Sequence, residues 1–211
     1  MAPTVRTQRT QEERSRETID RLRAAVLSVI AERGYVGCST TEVARRAGVS
    51  RGALLHHFPR KVDLIADAAA HFWGEASAHL RRIGDALDGE KTDVAAFVED
   101  MWTTVFRQEA ARMTIDLVSA SLVDAELRGR IEPLLDDLFE EYDRVATEAF
   151  AAAGLETRQR LALVHVATCA LRGLRMQEMM QGNRQNILAA RAALVILLET
   201  YLRADHEGGQ A

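Results

Sequence analysis

Between Cys38 and Lys61 the sequence concentrates side chains that bind phosphate oxygens. They carry hydroxyl or basic groups: Ser39, Thr40, Thr41, Ser50, Arg51, His57 and Lys61. Hydroxyls, cations and the amide groups at helix N-termini are the usual phosphate ligands in proteins that bind nucleic acids. Such contacts fix the position of a protein and make its binding depend on salt, but they do not read sequence. The chemistry predicted from this segment is therefore binding to a polyanion.

Two short helices are predicted to hold these groups. The S-x-x-E pattern that begins at Ser39 is that of a capping box and predicts a helix over Thr40–Ala47. Gly48 follows where the chain needs a positive φ, and Ser50 caps a second helix over Arg51–His57. The Phe-Pro pair that comes next ends this helix. Two short helices around a three-residue turn are typical of a helix-turn-helix motif.

One side of the second helix carries the candidates for reading bases, namely Arg51, Ala53, Leu55 and His56. A helix that lies in the major groove contacts base edges with such side chains. Gly52 lies among them and would let the backbone approach DNA closely. On the first helix, Arg45 is either a phosphate ligand or part of a solvated face, and the sequence leaves both interpretations open.

This region resembles the tetracycline-repressor (TetR) family of bacterial transcription regulators. The match runs from Arg16 to about His71 and includes Gly34-Tyr35, the run STTEVARRAGVS from Ser39, RGALLHHF from Arg51 and KVDL from Lys61. It agrees with the family pattern in spacing as well as in residue type. The resemblance covers roughly a quarter of the chain.

The resemblance implies an all-α homodimer. It implies a three-helix N-terminal DNA-binding domain, whose third helix enters the major groove, and a helical bundle that binds a small molecule and dimerises through its last two helices. The chain departs from the family where Ala53, Leu54 and Leu55 replace the usual Thr-Leu-Tyr. The tyrosine commonly contacts a phosphate. Leu55 cannot hydrogen-bond, but it can contact a thymine methyl group.

The rest of the sequence is predicted to be helical. The predicted helices are Glu17–Arg33, Lys61–Ile83, Asp93–Glu109, Arg112–Ser121, Asp124–Ala153, Thr157–Gln181 and Arg184–Ala204. Breaks are expected at Gly84–Gly89, Gly154 and Gly182–Asn183, and Pro133 predicts a kink or a split. We divide the chain into a flexible basic arm (1–15), a DNA-binding domain (16–76, helix-turn-helix 39–58), a ligand-binding and dimerisation domain (77–205) and a tail (206–211).

The C-terminal part offers soft and apolar side chains for a small-molecule site. The candidates are Trp102, Phe106, Met113, Phe139, His165, Cys169, Arg172 and Met176. The last four recur at i, i+4, i+7 and i+11, on one face of a helix. A histidine and an arginine among apolar groups suit an apolar ligand with an acidic or carbonyl head. The alternative is that the apolar residues form the core and that Arg172 pairs with a carboxylate.

The last predicted helix is apolar over a wide arc and small on one side. Its candidate dimer-interface residues are Leu194, Val195, Leu198, Tyr201 and Leu202. Together with Thr157–Gln181 this helix would form a four-helix interface across a two-fold axis. Packing against its own subunit is the alternative.

Charge and motifs limit the class of function. Residues 1–61 hold 12 Lys and Arg against 6 Asp and Glu, whereas residues 62–211 hold 15 against 25, so the polyanion is expected at the N-terminal end. The sequence contains no G-x-S-x-G, H-E-x-x-H, C-x-x-C or G-x-x-x-x-G-K motif, and we expect no enzyme and no cofactor. His71, Glu75 and His79 recur every fourth residue, but three ligands spread over two helical turns cannot converge on one ion, so we expect no metal site.

The sequence predicts a cytoplasmic protein without a membrane partner. The basic N-terminus is not followed by an apolar stretch, and the longest apolar stretches are only a handful of residues. The cysteines, Cys38 and Cys169, are too few for a disulfide framework.

The predicted function is that of a ligand-responsive, dimeric, DNA-binding transcriptional regulator. Its expected action is repression, released from a palindromic operator by a small apolar effector. The alternative, motivated by Leu55, is a helical small-molecule-binding or scaffold protein with a weakened DNA reader.

Overall fold

The computed structural model describes residues 10–86, 93–148, 150–151 and 154–208. These residues form helices and no strand, which confirms the predicted all-α class. In chain order the helices are α1 (Gln11–Gly37), α2 (Thr40–Ala47), α3 (Arg51–His57), α4 (Lys61–Ala86), α5 (Val94–Asp100), α6 (Gln108–Ser121), α7 (Ala125–Glu148), α8 (Thr157–Gln181) and α9 (Arg184–Gly208). A π-helical turn, Met101–Val105, continues α5.

The chain folds into two compact units. The first consists of residues 1–71 and 116–130, and the second of residues 72–115 and 131–211. Our predicted domain boundary at 76/77 differs from this division because residues 116–130, which we placed with the ligand-binding part, group with the N-terminal helices. The predicted tail after residue 205 begins inside α9, and the last three residues lie outside the described part of the chain.

A small apolar core organises the first unit. The α1 side chains that recur at helical spacing are buried, and so are the apolar residues that α2 and α3 turn towards them. The core residues are Leu22, Val26, Val29, Ile30, Val43, Ala44, Ala47, Leu54 and Phe58. Ala44 is 4% exposed and small, which allows neighbouring helices to pack closely at this point. The core thus fixes α2 and α3 against α1.

The helix-turn-helix has the predicted bounds because its caps operate as the sequence indicates. The Ser39 hydroxyl accepts from the Glu42 backbone N–H at 3.2 Å, and the Ser50 hydroxyl accepts from the Ala53 N–H at 3.1 Å. Gly48 ends α2 in the left-handed conformation, with φ of 65°. The Glu42 carboxylate bonds arginine side chains instead of closing a reciprocal capping box.

The first helix begins earlier than predicted. It starts at Gln11 rather than Glu17 because Thr10 and Glu13 form a reciprocal capping box, a signal that we did not use. Residues 11–15, which we assigned to the flexible arm, are therefore helical, and residues 1–9 lie outside the described part of the chain. Gly34 interrupts the regular helix near its end, at φ of 72° and ψ of 173°.

Several other boundaries also differ from the prediction. Gly84 lies inside α4, and the rest of the expected break, from residue 87, lies outside the described residues. The break that we placed between Glu109 and Arg112 falls instead at residues 106–107, after the π-helical turn. Pro133 does not split α7, which runs through it without a break. Both Pro133 and Gly129, whose carbonyl loses its helical partner, are exposed, so water can bond to that carbonyl.

Segment Arg184–Arg203 of α9 is long and apolar enough to cross a membrane by length and composition, with a mean hydropathy of 1.2. Our expectation that the chain has no such segment was therefore wrong. Only 17% of this segment is buried in its own subunit.

Replacing Gly34 by alanine should lower the free energy of unfolding by about 1–3 kcal/mol, because its φ and ψ lie in a region that is essentially restricted to glycine. A Cβ atom there would also lie 3.3 Å from a carboxylate oxygen of Asp116. Urea denaturation followed by circular dichroism measures the change. Gly129→Ala is the control, since this exposed helical position is open and should gain up to about 1 kcal/mol. Equal effects of the two substitutions would contradict the strain at Gly34.

Candidate DNA-binding surface and ligand cavity

The burial of Leu54 orients α3. With Leu54 fully buried, the adjacent side chains on the opposite side of this short helix face solvent. The exposed residues are Arg51, Gly52, Leu55 and His56, and Ala53 and His57 are half-buried. Ser39, Thr41 and Ser50 are also exposed, and Thr40 is half-buried. The fold therefore presents the predicted base readers on a protruding helix face, near the caps of α2 and α3.

Arg45 and Arg46, both on α2, are held by carboxylates. Arg45 donates two hydrogen bonds to Glu42, at 2.9 and 2.7 Å, and Arg46 bonds both Glu32 and Glu42. The bond from Arg45 and the charges of nearby arginines lower the pKa of Glu42 to about 2. A phosphate near Arg45 would have to share this guanidinium with Glu42, which weakens the case for Arg45 as a DNA ligand.

Lys61 belongs to a cluster that also holds Tyr35. Its ammonium group donates to the Tyr35 carbonyl at 2.9 Å and lies 4.4 Å from the centre of the Tyr35 ring. The Tyr35 hydroxyl donates to Asp124 at 2.7 Å, and the Tyr35 N–H donates to Asp116. An ammonium group has three donors, so Lys61 keeps donors for a phosphate. Our sequence reading did not identify Asp116 and Asp124. They lie more than 80 residues from Tyr35, and no local pattern links them.

The second unit contains an inner cavity of about 40 Å³. Aromatic and aliphatic side chains form most of its wall, and Arg172 is its charged member. The wall includes Phe72, Trp73, Val105, Phe106, Leu138, Tyr142 and Arg172. The Arg172 guanidinium lies 5.8 Å from the centre of the Phe106 ring and 5.9 Å from that of Phe139, and it bonds the Tyr142 hydroxyl. Burial raises the pKa of Tyr142 to about 12, so this phenol stays protonated.

The structure brings few of the predicted ligand-site residues together at this cavity. Phe106 and Arg172 line it, whereas Trp102 and Met113 are buried but are not among its lining residues. Phe139 is half exposed beside Arg172. His165, Cys169 and Met176 are exposed on the outer side of α8. The other three residues of the predicted stripe share the exposed side of α8, whereas Arg172 lines the inner cavity. Helical spacing alone could not distinguish these two orientations.

An outer cavity of about 320 Å³ adjoins the inner one. The two share four lining residues, Phe72, Ala76, Val105 and Ala110. The remaining wall of the outer cavity is polar and includes Glu75, His79, Arg82, Thr104 and Arg107. Sequence analysis missed this cavity because its residues come from α4, the π-helical turn and the start of α6, which are far apart in the chain.

Arg175 supports the wall between α8 and the π-helical turn. Its guanidinium donates to the carbonyls of Phe106, at 2.6 Å, and Trp102, at 3.1 Å. It also stacks on the Trp102 ring at 3.5 Å and pairs with Glu178. A π-helical turn leaves carbonyls without their regular helical partners, and Arg175 supplies donors to two of them. Arg175 is buried and has a structural role that we did not predict.

The exposed face of α8 and α9 is unusually apolar. Its large side chains are Val166, Met176, Met180, Leu188, Ile196, Leu197 and Tyr201. Leu194 and Leu198, which we predicted at a dimer interface, are instead buried in their own subunit, and Val195 and Leu202 are half-buried. The predicted interface residues therefore lie mostly on the inner side of α9. Among them only Tyr201 is exposed, at 45%.

The described residues contain no group of three or more His, Cys, Asp or Glu side chains placed to hold a metal ion. His79 lies 3.4 Å from Asp100 and accepts from Arg82 through Nδ1 at 3.2 Å. Within the described part of the chain, both cysteines are free thiols, with Cys38 buried and Cys169 exposed. Burial raises the pKa of Cys38 and so disfavours its thiolate.

Comparison with known proteins supports the DNA-binding motif. Residues 22–68 match the family described as bacterial regulatory proteins, tetR family. The HTH-type transcriptional regulator CymR of Pseudomonas putida is 27% identical over 196 residues, which cover 92% of this chain and 96% of CymR. Among solved structures, a transcriptional regulator from Rhodococcus gives a TM-score of 0.66 at 21% identity, covering 88% of this chain and 96% of that one.

FadR from Bacillus subtilis, solved in complex with stearoyl-CoA, gives a TM-score of 0.64 at 21% identity over 85% of this chain and 96% of FadR. These structures share the fold of the chain, and the sequence matches lie among regulators of transcription rather than enzymes. Residues 22–68 therefore match the tetR family of bacterial regulatory proteins, and over most of its length the chain is similar to an HTH-type transcriptional regulator.

Proposed function

We propose that this protein is a dimeric repressor that binds a palindromic operator and leaves it when a small effector enters the cavities of the second unit. It would act in the cytoplasm, where both operator and effector are available. The single observation that carries the DNA-binding part is the exposed face of α3, held by the buried Leu54 and capped at Ser50.

The DNA contacts proposed for α3 divide into two kinds. Arg51, Ala53, Leu55 and His56 would reach base edges, with Gly52 allowing close approach. Phosphate contacts would come from the N-terminal hydroxyls of α2 and α3 and from His57 and Lys61, and they would position the helix without reading sequence. Leu55 is 38% exposed, so its methyl groups are available to a thymine methyl.

The apolar face of α8 and α9 supports the dimer. Leu197 is 67% exposed and Ile196 63%, which is unusual for neighbouring large side chains on a water-soluble surface. A second copy related by two-fold symmetry would cover the same face on both subunits. A membrane is the other apolar environment that would suit α9, but Arg191 in this helix pairs with Glu99 and lies 4.6 Å from the centre of the Trp102 ring. Burying those charges in lipid would be costly, so a second protein subunit suits the helix better.

The inner cavity supports an effector with an apolar part. Its wall of Phe72, Trp73 and Phe106 offers aromatic contacts, but its volume of about 40 Å³ is far below that of a typical ligand site, about 300–1,000 Å³. An effector of ordinary size would therefore also occupy the adjoining outer cavity or displace side chains. Release from DNA requires that the effector favour one arrangement of the dimer over another, typically by ~1–3 kcal/mol.

Selection of bound sequences from random duplex DNA, at near-physiological salt, tests this proposal. We expect enrichment of an inverted repeat, because a symmetric dimer presents two copies of α3. Failure to enrich any sequence, by protein shown to be folded and dimeric, would contradict sequence-specific binding. Repeating the selection with Leu55→Tyr then shows whether the departure at this position disables the reader.

Arg51→Ala should weaken binding to the selected sequence by about 1–3 kcal/mol and relax specificity at one base position, because an arginine in the groove reads a base edge. Titration of labelled DNA by fluorescence anisotropy measures the loss. Arg158→Ala, at an exposed arginine near the start of α8, is the matched control and should leave affinity unchanged. Equal affinities of the two variants would remove Arg51 from the site.

Leu197→Asp should convert the dimer into monomers. A carboxylate at the centre of an apolar interface is expected to cost about 2 kcal/mol or more per subunit. Sedimentation velocity at several protein concentrations measures the change. Val123→Asp, at an apolar side chain that is 91% exposed in the first unit, is the control and should leave the mass unchanged. A dimer that persists in Leu197→Asp would show that another face holds the subunits together.

A further inference from the structure

The outer cavity differs from the inner one in its charge. Among the described residues, Arg82 and Arg107 line it, and no ion pair is observed for either of them. Other arginines of this acidic unit do have carboxylate partners, as in Arg81–Glu141, Arg144–Glu148 and Arg191–Glu99. Two guanidinium groups without carboxylate partners therefore face the same space of about 320 Å³.

Neighbouring side chains hold these guanidinium groups at the cavity. Arg107 lies 5.4 Å from the centre of the Phe72 ring, which belongs to both cavities. Arg82 donates to Nδ1 of His79 at 3.2 Å. Arginine has no acceptor, so His79 must be the acceptor, and a neutral ring then carries its proton on Nε2.

His79 holds Arg82 in place but offers no accessible donor to the cavity. Its Nε2 atom is buried and makes no hydrogen bond within the described structure, although an oxygen of Asp100 lies 3.4 Å away. A buried N–H without a partner is unfavourable. The carboxylate on this wall, Glu75, already takes part in another interaction. The wall thus offers more donors than acceptors.

The shared wall places the two cavities side by side. Phe72, Ala76, Val105 and Ala110 form a continuous apolar surface between the guanidinium groups of the outer cavity and the aromatic lining of the inner one. A ligand that matches this surface has an acidic group at one end and an apolar chain or ring at the other.

We propose that the outer cavity binds the acidic group of an amphiphilic carboxylate through Arg82 and Arg107, while the apolar end of the ligand enters the inner cavity. This inference rests on the proposed effector function and names the chemical class of the effector. It also assigns the acidic head to the outer cavity rather than to Arg172, which already bonds Tyr142 and lies beside two phenylalanine rings.

Titration calorimetry of the full-length protein with octanoate, 1-octanol and acetate tests this assignment. Octanoate should bind at least about tenfold more tightly than octanol, because hydrogen bonds to charged groups are strong in a partly dry site. Acetate has the acid but not the chain and should show no measurable binding. Octanoate should also change the tryptophan fluorescence, because Trp73 lines the inner cavity.

Three variants test which arginines bind the carboxylate of the ligand. In Arg82→Gln/Arg107→Gln the preference for octanoate over octanol should fall to about twofold or less, whereas Arg172→Gln and the exposed control Arg112→Gln should keep it. Thermal unfolding checks that each variant is folded. A preference lost in Arg172→Gln and kept in the double variant would overturn the assignment, and so would the absence of binding by both octanoate and octanol to the unchanged protein.

Operator binding separates this inference from the proposed function. Octanoate that binds as described but leaves DNA binding unchanged would support the acid site and contradict the effector-release proposal. Release from DNA by ligands whose affinity does not depend on Arg82 and Arg107 would support effector release and overturn the acid site.

Discussion

The DNA-binding surface depends on the burial of one leucine. A helix of seven residues is too short to be stable by itself in water, so α3 persists only because Leu54 is packed against α1 and α2 and because Ser50 caps its first turn. The same burial fixes the rotation of the helix. Since Leu54 faces inward, Gly52 and His56 lie on the opposite side of the helix, and Arg51 and Leu55 are exposed beside them.

Local signals explain why the helix-turn-helix was predictable from the sequence alone. Ser39, Gly48 and Ser50 act through the backbone within four residues of themselves, so the chemistry of each is independent of distant contacts. The extra turns of α1 also had a local signal, the Thr10–Glu13 capping box. No comparable local signal predicts how the interior of the second unit is packed. Whether Arg172 or its neighbour Cys169 faces a cavity depends on how α8 is rotated against helices that lie far away in the chain, and spacing cannot show this.

Acidic side chains of the first unit hold both arginines and the end of α1 in place. Glu42 and Glu32 bond Arg45 and Arg46 on α2, so a phosphate would have to share these guanidinium groups with carboxylates. Asp116 and Asp124 tie the end of α1 to later helices through Tyr35. Lys61 bonds the Tyr35 carbonyl, so a shift of Tyr35 would move a candidate phosphate ligand.

Because the apolar face of α9 is uncovered in the single chain, the stability of the protein is expected to depend on its concentration. In the proposed dimer, a second copy would cover side chains such as Ile196 and Leu197, so folding and association would be linked and the stability of the pair would rise with protein concentration. In a cell with few copies, newly made chains would spend longer as unpaired subunits, whose exposed apolar surface is open to proteases and chaperones. A regulator of this kind would therefore set a lower limit on its own working copy number.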